Sequence, residues 1–535
     1  MRSNESSFQS MVRLFEEWRT FERPVMKDGV PDYTVAAMTA KYEALPQWRQ
    51  RLEGIDTHGW DIEQLNDRKL MVAEMNGLDF NLGVLRPWAR DPAFYVSVWP
   101  ARADVPSREA PPVYPEIELY NYTFPLSTDA QRELAARLNA IPVLLLQARD
   151  NLQDSNARDL WIFGAQELRN QSHTLQSLQA GTLIVSTLGG SQRADIRAVT
   201  PAVHDAINAA RHATDDFVAW LEGQAPSKNG PSGIGKDNYT WYQQNVHLVP
   251  HSWADEVVLC RRELERALAS LRLQEQQNRG LAPLEAVTDA TAYDRLTHGR
   301  LDKFTDFLVQ HAIIPDKAYI KAALEPQLGQ FLPEEHRKFF HSVMHCEPML
   351  LFSHWYHWVD LARMRDEPNP SPIRRTSSLY NIWDSRAEGF ATAFEELLMH
   401  TGLYEDNPRA KELVWIMLAN RAARGLASLY VQANELTLER AGAFHAKWTP
   451  RRMVNADDSL TAFEQLLYLR QPGYGTSYVI GKLHVERLIA EYAQRQELDG
   501  AVFVLRDFID EFNGKGMMPM ALIEMEMISH AAYIP

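Results

Sequence analysis

Histidines crowd one stretch of this chain. Five of the 17 lie between positions 336 and 357 (His336, His341, His345, His354 and His357), where an even spread over 535 residues would leave fewer than one. Aromatics fill the same stretch: Phe339, Phe340, Phe352, Trp355, Tyr356 and Trp358. Neutral imidazole is the commonest side-chain metal ligand, and imidazoles three or four residues apart share one helix face. His354 and His357 have the first spacing. His341 and His345 have the second, that of His-Glu-x-x-His zinc sites, but position 342 is Ser where that pattern needs its Glu. Downstream, in Arg386-Ala387-Glu388-Gly389-Phe390-Ala391-Thr392-Ala393-Phe394-Glu395-Glu396, the carboxylates Glu388 and Glu395 stand two helical turns apart and can face one cleft. Two imidazoles and a carboxylate make an open zinc set that leaves a position for water. The competing reading is a set of hydrogen-bonded core histidines beside a solvated acidic face.

The elements that must position these residues are helical. Leu14, Trp18 and Phe21 recur at the period of an α-helix, as do Leu134, Leu138, Ile141 and Leu145. Leu259, Leu264, Leu268 and Leu271, and later Leu413, Ile416 and Met417, repeat the pattern. Strand-like stretches are two, Phe94–Val98 and Leu183–Ser186, which predicts an all-α body with minor β. Breakers fall at Pro100–Pro115, Gly223–Gly235, Asn278–Pro283 and Pro368–Pro372. The second divides the chain into an N-terminal helical region, 1–225, and a C-terminal helical region, 226–535, that carries the candidate site. Gly230-Pro231-Ser232-Gly233-Ile234-Gly235-Lys236-Asp237 comes close to a phosphate-binding loop, but Asp237 stands where the hydroxyl belongs and a helix precedes it, so it reads as a connection. Ser191 after Gly189-Gly190 has the wrong spacing for a nucleophile elbow.

Composition narrows the classes. Apolar residues make up 45% and charged residues 23%, ordinary values that exclude a mainly disordered chain. The net charge of −15, without a Lys/Arg cluster, argues against a nucleic-acid partner. Two cysteines, Cys260 and Cys346, exclude a disulfide scaffold and fit a reducing compartment. No run approaches the ~18 apolar residues of a membrane span, and Met1-Arg2-Ser3-Asn4-Glu5 leads into no apolar signal core. The expectation is a cytoplasmic protein with no membrane partner.

From about Leu351 onward the order of motifs resembles the bacterial domain-of-unknown-function family 885, helical relatives of zinc metallopeptidases. Glu388-Gly389-Phe390-Ala391 is similar to the family's Glu-Gly-Trp-Ala, and Arg421-Ala422-Ala423-Arg424 to its Arg-Ala-x-Arg. Glu464, Tyr468, Pro472-Gly473, Ser477-Tyr478 and Ile480-Gly481-Lys482 keep step with its next block. Gly516-Met517-Met518-Pro519-Met520 resembles its closing segment, and Leu85-Arg86-Pro87-Trp88, Asp91-Pro92, Tyr95 and Gly235–Tyr239 are weaker likenesses upstream. The resemblance implies a zincin-like body with a central cleft and nominates Glu388 as third metal ligand. One departure matters. The family's His-Glu-x-x-Pro-Gly-His-His falls on Leu351 to Trp358, so Leu351 and Phe352 stand where its first His and its catalytic Glu belong.

The chemistry this implies is metal-dependent hydrolysis of a peptide or amide bond in a small peptide or amide-containing substrate, at a site reorganised around zinc or another divalent metal on His354, His357 and Glu388. Metal-bound water reaches a pKa of about 7 and needs a carboxylate to take its proton. Glu395 is favoured for that role because it shares the face of Glu388, with Asp360, one turn from His357, as the other candidate. Tyr478 is the candidate oxyanion donor. Lys482, one turn on, or Arg470 would meet a substrate carboxylate. The alternative is a catalytically inactive relative that binds a peptide or small metabolite in the retained cleft.

Overall fold

The computed structural model describes residues 6–106 and 116–528. The described residues are mostly helical, and strand is confined to three two-stranded pairs. The apolar stripes read from the sequence are core faces. In Thr128–Leu152, Leu134, Leu138, Ile141 and Leu145 are all buried. In Ser7–Glu22, which opens on a capping box between Ser6 and Gln9, the buried face is Met11, Leu14, Phe15 and Trp18. Each such side chain contributes about 1.5–3 kcal/mol on burial. One apolar cluster runs from Met11 to Ile528 and draws on both sides of the Gly223–Gly235 connection. In that connection Gly235, at φ +84°, caps the helix Lys236–Asn245, and Lys236 pairs with Glu435.

The strand expected over Phe94–Val98 is corrected. Asp91 Oδ1 accepts the Ala93 N–H at 2.9 Å and starts a 3₁₀ turn over Pro92–Tyr95, leaving only Val98–Trp99 to pair, in parallel, with Ile117–Glu118. The second stretch forms the hairpin Ile184–Thr187 with Gly190–Arg193.

Five helices frame the histidine-rich stretch: Met349–His354, Tyr356–Asp366, Asp384–His400, Ala410–Gln432 and Tyr474–Leu498. Asp384–His400 and Tyr474–Leu498 cross where two glycines meet. A Cβ on Gly389 would stand 2.3 Å from Gly481 Cα, and one on Gly481 would stand 2.1 Å from the Ser385 carbonyl oxygen. Only glycine permits backbones that close. Ala410–Gln432 is buried on nearly every face, so the charges it carries must be paired. Its Arg421 pairs with Glu395, and its Arg424 with Glu464. No helix among the described residues is long and apolar enough to cross a membrane.

Candidate metal centre and its cavity

His354, His357 and Glu388 converge. One ligand atom from each lies within 4.8 Å of the other two. Glu388 Oε2 is 3.0 Å from His357 Nε2 and 3.6 Å from His354 Nε2. Bonds of 2.0–2.1 Å to a tetrahedral zinc imply ligand–ligand edges of about 3.3 Å, so these separations bracket what an ion needs. The two imidazoles do not ride one continuous helix as the spacing predicts. Trp355 breaks the backbone, so His354 ends one helix and His357 lies in the first turn of the next. Their rings stand at 85°, with centroids 4.9 Å apart.

The surroundings fix each ligand. Tyr474 donates its O–H to Glu388 Oε1 at 2.6 Å, which leaves Oε2 for the histidines. Burial alone would depress the His357 imidazole and raise the Glu388 carboxyl. Their mutual attraction wins at both ends, holding His357 at about 9 and Glu388 at about 2. A proton thus sits where a cation would. Burial, reinforced by Arg421 and His357, holds His354 well below the usual imidazole range, which leaves it neutral, the form that can ligate a metal.

Glu395 does lie on the same face as Glu388, yet it is engaged elsewhere. Arg421 donates to both of its oxygens, at 2.7 and 2.6 Å. Its Oε1 also lies 3.2 Å from His354 Nδ1, on the side of the ring away from Glu388. Burial raises Glu395 to about 7 against the pull of Arg421. This places a carboxylate behind the His354 imidazole, close to Nδ1 but without a hydrogen bond of good geometry to it. Asp360 is bound by Arg386, at 3.0 Å, and by Arg363, at 3.2 Å. Burial would raise its carboxyl, but the two guanidinia hold it low.

A cavity of about 460 Å³ opens onto the centre. His354 and Glu388 face it, together with Tyr478, Arg424 and Leu351. Tyr478 stacks on the His354 ring at 6.1 Å, with the Arg424 guanidinium 4.3 Å from its own ring centroid. Lys482 and Arg470 are not among the lining residues. Lys482 is buried among Glu263, Glu396 and Glu486. Arg470 donates to Asp91 at 2.6 Å. His341 does border the cavity, but His345 accepts the Leu332 N–H, and among the described residues the pair does not converge with a third ligand. Sequence reasoning missed Asp104. This carboxylate comes from the Pro100–Pro115 breaker segment and lines the cavity beside Glu388. Burial raises its pKa; His357 opposes that and Glu388 adds to it, which places it in the field of the centre. No spacing rule could single out an acid some 250 residues from its partners.

Two solved structures share this fold over nearly the whole chain. A "putative lipoprotein of unknown function" from Shewanella oneidensis is 13% identical with a TM-score of 0.65, covering 97% of this chain and 98% of that one. The "putative lipoprotein from Colwellia psychrerythraea" is 13% identical with a TM-score of 0.66, covering 98% and 99%. At that identity the likeness is one of fold. No curated protein sequence matches the chain significantly. The family profile described as "Bacterial protein of unknown function (DUF885)" matches residues 357–527, a span that holds His357, Glu388, Glu395, Arg424 and Tyr478 but neither His354 nor Asp104. That segment is similar to the DUF885 family, in keeping with the resemblance of the C-terminal motifs.

Proposed function

We propose that the protein is a metal-dependent hydrolase of small peptide or amide substrates, with a zincin-like centre at the floor of its cleft. The observation that carries this is the convergence of His354, His357 and Glu388 on one point beside a cavity. The donor set suits zinc: two imidazoles, one carboxylate, a phenol on the carboxylate and a carboxylate behind one imidazole. A divalent ion held there supplies a Lewis acid and an acidified water.

The chain's own groups do the remainder. Phe352 is fully buried against Phe304, so no carboxylate stands where the family resemblance places the base. Asp104 replaces it. Glu395 is held by Arg421, Asp360 by Arg386, and Glu464 by Arg424, whereas Asp104 borders the cavity with, among the described residues, its own backbone amide as hydrogen-bond donor. Asp104 takes a proton from water in the cavity and returns it to the leaving amine nitrogen. Tyr478 donates towards the carbonyl oxygen. Glu395 stands behind His354, whose Nε2 is towards Glu388.

One observation favours a second reading. Leu351 lines the cavity where the family resemblance places a His, which suits an inactive relative that binds a peptide or metabolite. A panel of dipeptides incubated with zinc-loaded protein separates the two. Cleavage should fall at least about 100-fold in Asp104→Asn with zinc content unchanged. Zinc-loaded protein that cleaves nothing, or an Asp104→Asn variant as active as wild type, sinks the hydrolase reading.

Location belongs with this proposal. The cysteine count favours the cytoplasm, whereas both similar structures bear the words "putative lipoprotein", which favours the cell envelope. Cell fractionation with an antibody to this chain distinguishes the two.

A further inference from the structure

The wall of the cavity carries a cation with unspent donors. Arg424 is 2% exposed and lines the cavity. A guanidinium has five N–H donors in a planar fork. Here Nη1 is used by Glu464, while Nε is buried without a hydrogen-bond partner. Nη2 makes no hydrogen bond among the described residues and is not sealed off as Nε is, so it is the donor left to a ligand, and the acceptor that suits a guanidinium is a carboxylate. The guanidinium stands beside the metal centre, over Tyr478 and within the field of Glu388. The rest of the lining is mainly apolar, with Leu332, Met344, Trp355, Leu467 and the 39%-exposed Phe463, though Gln327, Gln330 and His341 are also on it. A volume of about 460 Å³ lies in the range of small-molecule sites.

We infer that the ligand is a small acylated amino acid or short peptide whose free carboxylate meets Arg424 and whose bulky apolar side chain fills the wall opposite. The carboxylate contact stands on Arg424 alone, and the fate of the amide rests on the hydrolase reading. If that reading holds, water adds across the amide C–N bond next to the apolar residue. The hydroxyl goes to the carbonyl carbon and the proton to nitrogen, releasing an acid and a free apolar amino acid or its peptide.

The test is calorimetric titration of the full chain with four probes: N-acetyl-L-phenylalanine, its neutral amide, the cation L-phenylalaninamide, and N-acetylglycine. Each is run on chelator-treated and on zinc-loaded protein, with zinc measured in every preparation. N-acetyl-L-phenylalanine should bind at least ten-fold tighter than the other three in both preparations. That advantage over the neutral amide should shrink to within two-fold in Arg424→Gln/Glu464→Gln, which leaves no lone buried charge. If the double variant does not fold, Arg424→Lys, which loses the fork, takes its place. Equal binding of acid and amide, preference for the cation, a preference seen only with zinc, or an advantage that survives the variants overturns the inference, as does failure of all four to bind. Absence of zinc with the carboxylate preference intact sinks the hydrolase reading alone.

Discussion

Raising the pH of metal-free protein removes the proton shared between His357 and Glu388, and the cost follows from the geometry. His357 sits near 9 in the fold, against about 6.5 for an unperturbed histidine. The folded state therefore binds this proton more tightly than the unfolded chain. The contribution, about 3 kcal/mol, is fully present below about pH 6.5 and is lost as pH rises through 9. Glu388, at about 2, gives a similar figure from the other end. The two shifts are one interaction and count once, and the carboxylate end is lost as pH falls through 2. Three kcal/mol is a large share of the ~5–15 kcal/mol that holds a domain together. Urea unfolding with a chelator present, from about pH 6 to about pH 10, measures it against Glu388→Gln, in which the other lysines, tyrosines and thiols titrate alike. The wild-type advantage should shrink by about 3 kcal/mol across that window. The same proton competes with metal, so zinc affinity should climb about ten-fold per pH unit between 7 and 9 in chelator competition. A wild-type advantage that stays constant with pH refutes the pairing.

Two further outcomes bear on the shell of the site. Arg421→Met leaves the Glu395 carboxylate buried without its fork, so stability should fall by about 3–5 kcal/mol in denaturant titration. Zinc affinity should fall about 10–100-fold in the same variant because the carboxylate behind His354 is no longer held; unchanged affinity would show that Glu395 does not position the ring. Gly389→Ala puts a methyl group 2.3 Å from Gly481 Cα and should lower the melting temperature by several degrees or prevent folding. A variant as stable as wild type would mean that the helix crossing is looser than described.

What could be read in advance follows physical range. Periodicity is local, and Leu134, Leu138, Ile141 and Leu145 marked a buried face because a helix repeats its own geometry. The convergence of three side chains was legible for a related reason: His354 and His357 are near in sequence, and the family resemblance supplied Glu388. Their helix break at Trp355 was not legible, since i, i+3 spacing survives it. Glu395 was assigned a free carboxylate's role because its face was predictable and its partner, Arg421 on another helix, was not. Lys482 and Arg470 share that lesson. A buried cation is placed by the carboxylates that surround it, and Glu263, Glu396 and Asp91 come from distant segments. Asp104 lay beyond reach because a loop brought it in.

Metal analysis tests the central claim most directly. Protein purified without chelator, equilibrated with equimolar zinc and desalted, should retain about one ion per chain. Glu388→Ala, treated in parallel, should retain almost none, because a site with three protein ligands has little affinity to spare. Near-zero metal in both, with each folded by circular dichroism, or equal metal in both, would contradict the assignment of His354, His357 and Glu388 as a metal centre.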